Sequence, residues 1–266
     1  MRPLLRVFAR SAINQVRHTM ARSMMRFVVF IQPIIFVTIS HFMFGLWGST
    51  ESSEYVIFGT GVMTLWMTCL WSSVTDVNRE RATGTLELLL ISPVPFPISL
   101  LGKILGNTFL GMFTIFVSYV YSTVVLGVSL VVADPWKVAL GLAATVFSFA
   151  GVSLFLALLF LLSREANLIA NGLSFPVYLV SGLYFPLSSL PAGLQYVGLT
   201  LPIAWARETI RWAVMGSEAT RLWTSSFGSA IAGLFVTGVA YLLLSTILFN
   251  LVFERLVRRK GRLGMA

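Results

Sequence analysis

Six stretches of this chain approach or exceed the length of a membrane crossing without a single Asp, Glu, Lys or Arg: Phe27–Trp47, Val56–Thr75, Ile104–Ala133, Val138–Leu162, Leu168–Phe185 and Phe227–Phe253. A helix needs about 20 apolar residues to cross the hydrocarbon of a bilayer. Composition leaves little else: 57% of the residues are hydrophobic, 11% are charged, and the mean hydropathy is +0.86. A chain of 266 residues has no interior large enough for that much apolar surface, so lipid must solvate most of it. Strand-type alternation is absent, which argues against a barrel. The expected fold class is therefore all-α integral membrane, one transmembrane domain over residues 1–266 with six transmembrane helices.

Lys and Arg give the sidedness. With six spans both termini share one side, which receives Arg2, Arg6, Arg10, Arg17, Arg22 and Arg26 before the first span. The same side holds Arg79, Arg81 and Lys103 between the second and third, Arg164 after the fourth, and Arg255, Arg258, Arg259, Lys260 and Arg262 at the end, fifteen of the 19 basic residues. The positive-inside rule makes this side cytoplasmic, in a plasma (inner) membrane. The net charge of +9 is then a topology and lipid-headgroup signal, with no nucleic-acid partner implied. The first apolar run is too long for a signal peptide, and the segment before it is too long as well, so the chain is expected to begin in the cytosol. The single cysteine, Cys69, lies inside a span and offers no disulfide, redox or metal pair.

Three segments outside the spans carry information. In residues 1–26, Leu4, Leu5, Phe8, Ala12, Val16 and Met20 share one helical face while Arg6, Arg10 and Arg17 cluster beside it, which predicts an N-terminal amphipathic interfacial helix. It serves either as an anchor or as part of a docking platform for a cytosolic partner. In residues 76–97, a short charged helix with Glu80 and Glu87 on nearly one face runs into Ser92-Pro93-Val94-Pro95-Phe96-Pro97, whose prolines predict an extended strut. In residues 186–227, the chain after the fifth span stays apolar and proline-punctuated through Pro186, Pro191 and Pro202. Non-helical backbone at membrane depth is tolerated only where protein or a water-filled cavity satisfies it, so outer re-entrant helices are the leading reading over a tight outer turn.

Thr60, Thr64, Thr68, Ser72 and Asp76 recur every four residues on the second span, as helix-packing hydroxyls or as the lining of a path. Phe175, Tyr178, Tyr184 and Phe185 are candidate aromatic contacts to such a path. A membrane-embedded enzyme needs converging ionisable groups, yet His41 is the one group in the spans that titrates near physiological pH. An ion-coupled secondary transporter suffers from the same lack of intramembrane carboxylates and from the absence of a repeat.

The run Glu80-Arg81 with Gly84-Thr85-Leu86-Glu87, its leucines and the Ser92-Pro93 stop resembles the cytoplasmic signature of the type-2 ABC exporter permeases. Gly182-Leu183-Tyr184-Phe185-Pro186-Leu187 with Leu190-Pro191 and Leu194-Gln195 is similar to the family's second signature. Pro202 with Ala206-Arg207-Glu208 and Ile210-Arg211 resembles the element after it, although Leu201 stands where members often carry asparagine. The resemblance implies an interfacial helix, a cytoplasmic coupling helix and outer re-entrant helices in a dimer of permeases, either two copies or a copy and a paralogue. It further implies two separate ABC ATPase subunits that bind ATP and Mg, this chain holding no cofactor. That agrees with the absence of a G-x-x-x-x-G-K-[ST] loop. By the same resemblance Glu80, Arg81, Gly84 and Glu87 are the ATPase-coupling residues, and Thr60, Thr64, Thr68, Phe175, Tyr178, Tyr184 and Phe185 line the translocation path. The implied activity is export of a drug or an amphipathic or lipid-linked substrate.

Overall fold

A computed structural model describes residues 2–45, 55–84, 96–128, 132–163, 165–183, 187, 190–216 and 224–263, and every regular element among them is helical. The chain opens with α1 (Arg2–Ala21), which ends one residue before the first span. That span is built from α2 (Ser23–Arg26), a π-helical turn (Phe27–Ile31) and α3 (Gln32–Gly45). The wide turn has a local cause: Gln32 N–H reaches back to the Phe27 carbonyl, and the next residue, Pro33, cannot donate and needs room for its ring. A second π-turn (Tyr55–Gly59) leads into α4 (Thr60–Ala82), followed by α5 (Phe96–Val124) and α6 (Pro135–Leu162). Asp134 caps α6 by accepting hydrogen bonds from the backbone of Trp136 and Lys137. The Lys137 backbone N–H is the main reason its carboxyl sits below the usual range. Then come α7 (Ala166–Val180), α8 (Ala192–Leu199), α9 (Pro202–Met215) and α10 (Phe227–Leu263).

Among the described residues five helices are long and apolar enough to cross a membrane: Ser23–Met43, Ile57–Glu80, Leu100–Val124, Pro135–Leu162 and Phe227–Asn250. The fifth expected span, Leu168–Phe185, corresponds to the shorter α7, which contains Pro176 and stops at Val180. Gly182 then takes a positive φ of 77° that an L side chain resists. The third apolar run also overshoots its helix. Helical structure ends at Val124 and Gly127 turns the chain at φ 65°, although the sequence stays apolar to Ala133. Apolar composition marks membrane depth but not where a helix stops.

The core gathers around α4, whose Leu65, Trp66, Cys69 and Leu70 are enclosed by Phe149 and Phe160 of α6 and Tyr178 of α7. The other long helices wrap it and keep one face outward, such as Phe109 and Phe116 on α5 and Val236, Leu243 and Ile247 on α10. Helix directions follow from the contacts. The end of α4 meets the start of α5 through Asp76 and Asn107, while the first span runs parallel to α5, with Phe30 against Phe113 and Thr38 against Tyr121. Parallel helices α6 and α10 pair in step through Phe147 with Phe235 and Phe155 with Tyr241. The described parts of α1 and α10 therefore bring the two ends of the chain to one end of the bundle, and α8 and α9 sit at the opposite end.

Candidate functional site

The end of the bundle that carries α1 is also the most polar part of the interior. Two glycines let α1 come close: a Cβ on Gly102 would stand 2.7 Å from the Phe8 carbonyl oxygen, and one on Gly106 would stand 2.7 Å from that of Ala12. Small residues four apart are a recurring device for close helix approach in membranes. The approach buries Gln15 and Thr19, each 2% exposed, between α4 and α5. Gln15 Nε2 donates to Asp76 Oδ2 at 2.7 Å and to Asn107 Oδ1 at 3.2 Å. Asn107 Nδ2 donates to the same Asp76 oxygen at 3.0 Å, and Thr19 Oγ1 donates to Asn107 Oδ1 at 3.1 Å. One buried network thus ties three helices together. Hydrogen bonds onto a carboxylate are stronger than neutral ones, and losing one partner strands the others.

One turn further along α4, Glu80 forms an ion pair and hydrogen bond with Lys103 of α5, and Arg79 Nη2 lies 3.5 Å from Asp76 Oδ1. A cavity of about 20 Å³ between Ser73, Asp76 and Asn107 has room for one water. Beside it opens a polar cleft of about 390 Å³, walled by Asn14, Gln15 and His18 of α1 and by Arg79, Glu80 and Lys103. A partner pressing on this cleft would meet α1, α4 and α5 at once.

The coupling residues are placed differently from the sequence expectation. Glu80 and Arg81 do not belong to a separate short helix: α4 runs unbroken through Ala82, and the chain turns at Gly84, exposed with φ 65°. Glu80 is 7% exposed and its carboxylate is held within the chain by Lys103. The rest of the expected coupling helix, including Glu87, and the strut through Pro95 lie outside the described residues, as does the Arg81 side chain. Phe96 and Pro97 already belong to α5.

The described path residues lie on different surfaces. Thr60, Thr64 and Thr68 are all buried inside this chain. Thr60 donates to the Ile57 carbonyl and Thr68 to the Thr64 carbonyl, while the Thr64 hydroxyl lies 2.9 Å from that of Thr114 on α5. A path along these threonines would have to open between α4 and α5, where the Thr64–Thr114 contact closes it. Tyr178 is buried, whereas Phe175 is 70% exposed on the outward face of α7 beside Asn171 and Gly172. Tyr184 and Phe185 lie outside the described residues.

At the opposite end Glu208 and Arg211, singled out in the sequence without a structural role, form a buried charged cluster. Arg211 grips Glu208 through Nε at 3.0 Å and Nη2 at 2.5 Å, both residues fully enclosed. Thr224 donates to Glu208 Oε1 at 2.8 Å and accepts from Trp212 Nε1 at 2.7 Å. Arg211 also stands over the Trp212 ring, 5.7 Å from its centroid. In the sequence these residues fall in the expected outer re-entrant segment, residues 186–227, with no partner assigned to them. The available signal was their i, i+3 spacing after a proline at the start of α9. The Ala133 N–H donates to the Val214 carbonyl and fastens α9 to the approach to α6. Leu201 occupies the N-cap of α9 without a side-chain cap, a place where asparagine would supply one.

No curated protein matches the sequence. A family model does match, described as ABC-2 type transporter, over residues 4–215, a stretch that takes in α1, the polar network and the helices through α9. The chain is a multi-pass membrane protein and belongs to the ABC-2 type transporter family, the transmembrane component of ABC transporters.

Proposed function

We propose that this chain is the permease subunit of an ATP-driven exporter, moved by two ATPase subunits on separate polypeptides and completed by a second copy or a paralogue. The observation that supports the reading best is the joining of α1, α4 and α5 through Asp76, Gln15 and Asn107 at one end of the bundle. A force applied there is passed to α4, the most enclosed of the long helices. In this reading that end is cytoplasmic, as the basic residues require, and the membrane is the plasma (inner) membrane. Gly84, Arg81 and Glu87 lie at the ATPase contact by their sequence position. Glu80 contributes by fastening α4 to Lys103. The short apolar helix α7 completes six spans, and α8 and α9 are the outer re-entrant pair.

The path in this reading runs along the outward face of α7, with Phe175 and Asn171 turned to the second subunit and Tyr184 and Phe185 following at its outer end. An exposed amide next to an open glycine suits a subunit contact or a water-filled cavity better than lipid. Substrates that fit are drugs and amphipathic or lipid-linked molecules taken from the cytoplasm or the inner leaflet. The test is reconstitution with a co-expressed ATPase and identification by mass spectrometry of what co-purifies. ATP hydrolysis should respond to the permease, and Glu87→Lys should weaken that response because charge reversal at a docking contact replaces attraction with repulsion. Normal coupling in Glu87→Lys would remove this residue from the contact.

A further inference from the structure

The end of α4 that carries Asp76 is tied to different helices on its two sides. Asp76 holds α1 and α5, and Asn78, two residues on and therefore about 200° around the helix, faces the opposite way. There its Nδ2 donates to Asn167 Oδ1, in the first turn of α7, at 3.2 Å. The backbone carbonyl of Asn167 in turn accepts from Asn171 Nδ2 at 2.9 Å, one turn closer to Phe175. Among the described residues α7 makes its substantial contacts with α4 and, at its far end, with α8. The face it turns to α4 is small or apolar: Ala166, Ala170 and Ser174 recur every four residues, Val177 and Tyr178 continue it, and all five are buried. Ser174 gives its hydroxyl proton to the Ala170 carbonyl of its own helix. Small side chains let two helices approach closely. They interlock little, so the Asn78–Asn167 pair is the directional contact that fixes register at this end. At the other end a Cβ on Gly198 would collide with the Val180 carbonyl oxygen, so α8 is seated directly on the last turn of α7.

We propose that Asn78 is a positioning residue that holds α7 in register on α4, so that a displacement of α4 reaches Phe175 and, through Val180, α8. Coupling between distant sites is carried by packed side chains, hydrogen bonds and rigid elements, and α7 has one substantial neighbour at its inner end through which to receive it. Without the amide pair, α4 slides past Ala166 and Ala170 and leaves α7 behind. The nucleotide cycle then continues at the ATPase while the outward face of α7 stays still. The inference rests on the proposed function in taking α4 as the driven helix.

The test has two arms. In the purified full-length chain alone, backbone hydrogen exchange over residues 165–172 should rise about threefold in Asn78→Leu, as suits the loss of one exposed neutral hydrogen bond, with Phe227–Asn250 of α10 unchanged. In the complex with its co-expressed ATPase, single cysteines at Ala82 on α4 and at Phe175 on α7 are placed in a Cys69→Ser background. Their reaction rates with N-ethylmaleimide are compared without nucleotide and with nucleotide trapped by vanadate. Both rates should change several-fold on trapping when Asn78 and Asn167 are present. Asn78→Leu and Asn167→Ala should keep the change at Ala82 and lose it at Phe175. Asn78→Asp, to which the Asn167 amide can donate once turned over, should keep both. A merely structural role would move the two reporters together. A full response at Phe175 in Asn78→Leu and Asn167→Ala would overturn the proposal, as would unchanged exchange over residues 165–172, or a response at Ala82 with none at Phe175 when both asparagines are present. No response at Ala82 in an otherwise unaltered complex that hydrolyses ATP would remove α4 as the driven helix, and the exchange arm then decides the Asn78 contact by itself.

Discussion

Replacing Asp76 tests the network that joins α1 to the spans. Its Oδ2 accepts from Gln15 at 2.7 Å and from Asn107 at 3.0 Å, with Gln15 2% and Asp76 8% exposed. A hydrogen bond to a charged group contributes roughly 1.5–3 kcal/mol, and the adjoining cleft admits water, which favours the lower value. Two such bonds make Asp76→Leu cost about 3 kcal/mol, with the amides of Gln15 and Asn107 left unsatisfied. Asp76→Asn keeps one oxygen to accept both donors and should cost about 1 kcal/mol. Because α1 depends on these contacts, the loss appears as detachment of that helix, and 3 kcal/mol raises the detached fraction about 100-fold. Trypsin at low concentration reports it, since Arg17 lies on α1 and cleavage tracks the open population when reclosing is fast. The expected order of cleavage at Arg17 is Asp76→Leu well above Asp76→Asn, with the unaltered chain lowest. A double-mutant cycle with Gln15→Ala should return a coupling of about 1–2 kcal/mol. Equal cleavage of all three proteins, or zero coupling, would mean that Asp76 does not hold α1 against the bundle.

Two further predictions follow from burial. Glu208→Ala should lower stability by about 3–5 kcal/mol because it leaves Arg211 charged and enclosed, whereas Glu208→Leu combined with Arg211→Met should recover most of the loss; thermal midpoints of the purified variants decide the order. Thr68→Trp should fail to accumulate as folded protein, since Thr68 is completely enclosed and overpacking a tight core is destabilising; a variant that folds, assembles and merely blocks transport would place Thr68 on an open path instead.

The helical membrane fold was legible because lipid imposes it: uncharged runs of span length admit few structures, and the runs at Val138–Leu162 and Phe227–Phe253 contain or lie within the observed helices. Helix ends were less legible. Gly127 and Gly182 turn the chain inside runs that hydropathy treats as uniform. The interfacial face of α1 was read from its apolar residues, but its contact face, through Phe8, Ala12, Gln15 and Thr19, is rotated by about 35°. Gln15 is buried because Asp76 and Asn107 meet it from 61 and 92 positions away, a pairing that local periodicity does not register. The glycines at 102 and 106 were the local sign that a helix would lie against α5. The burial of Glu208 and Arg211 was not legible for a different reason. Charged residues in an outer segment carry no local sign of burial, while a bidentate pair that satisfies itself can be enclosed.

In the proposed function an ATPase drives this chain from the end where α1, α4 and α5 meet. Site-directed crosslinking tests it most directly. In a Cys69→Ser background co-expressed with its ATPase, a short bifunctional thiol-to-amine reagent is applied to single cysteines at Ala82, exposed at the end of α4, and at Tyr196, exposed on α8 at the other end of the bundle. A permease–ATPase adduct is expected from Ala82, with a yield that changes with bound nucleotide, and none from Tyr196. An adduct from Tyr196, or none from Ala82 in a complex that remains intact and hydrolyses ATP, would contradict it.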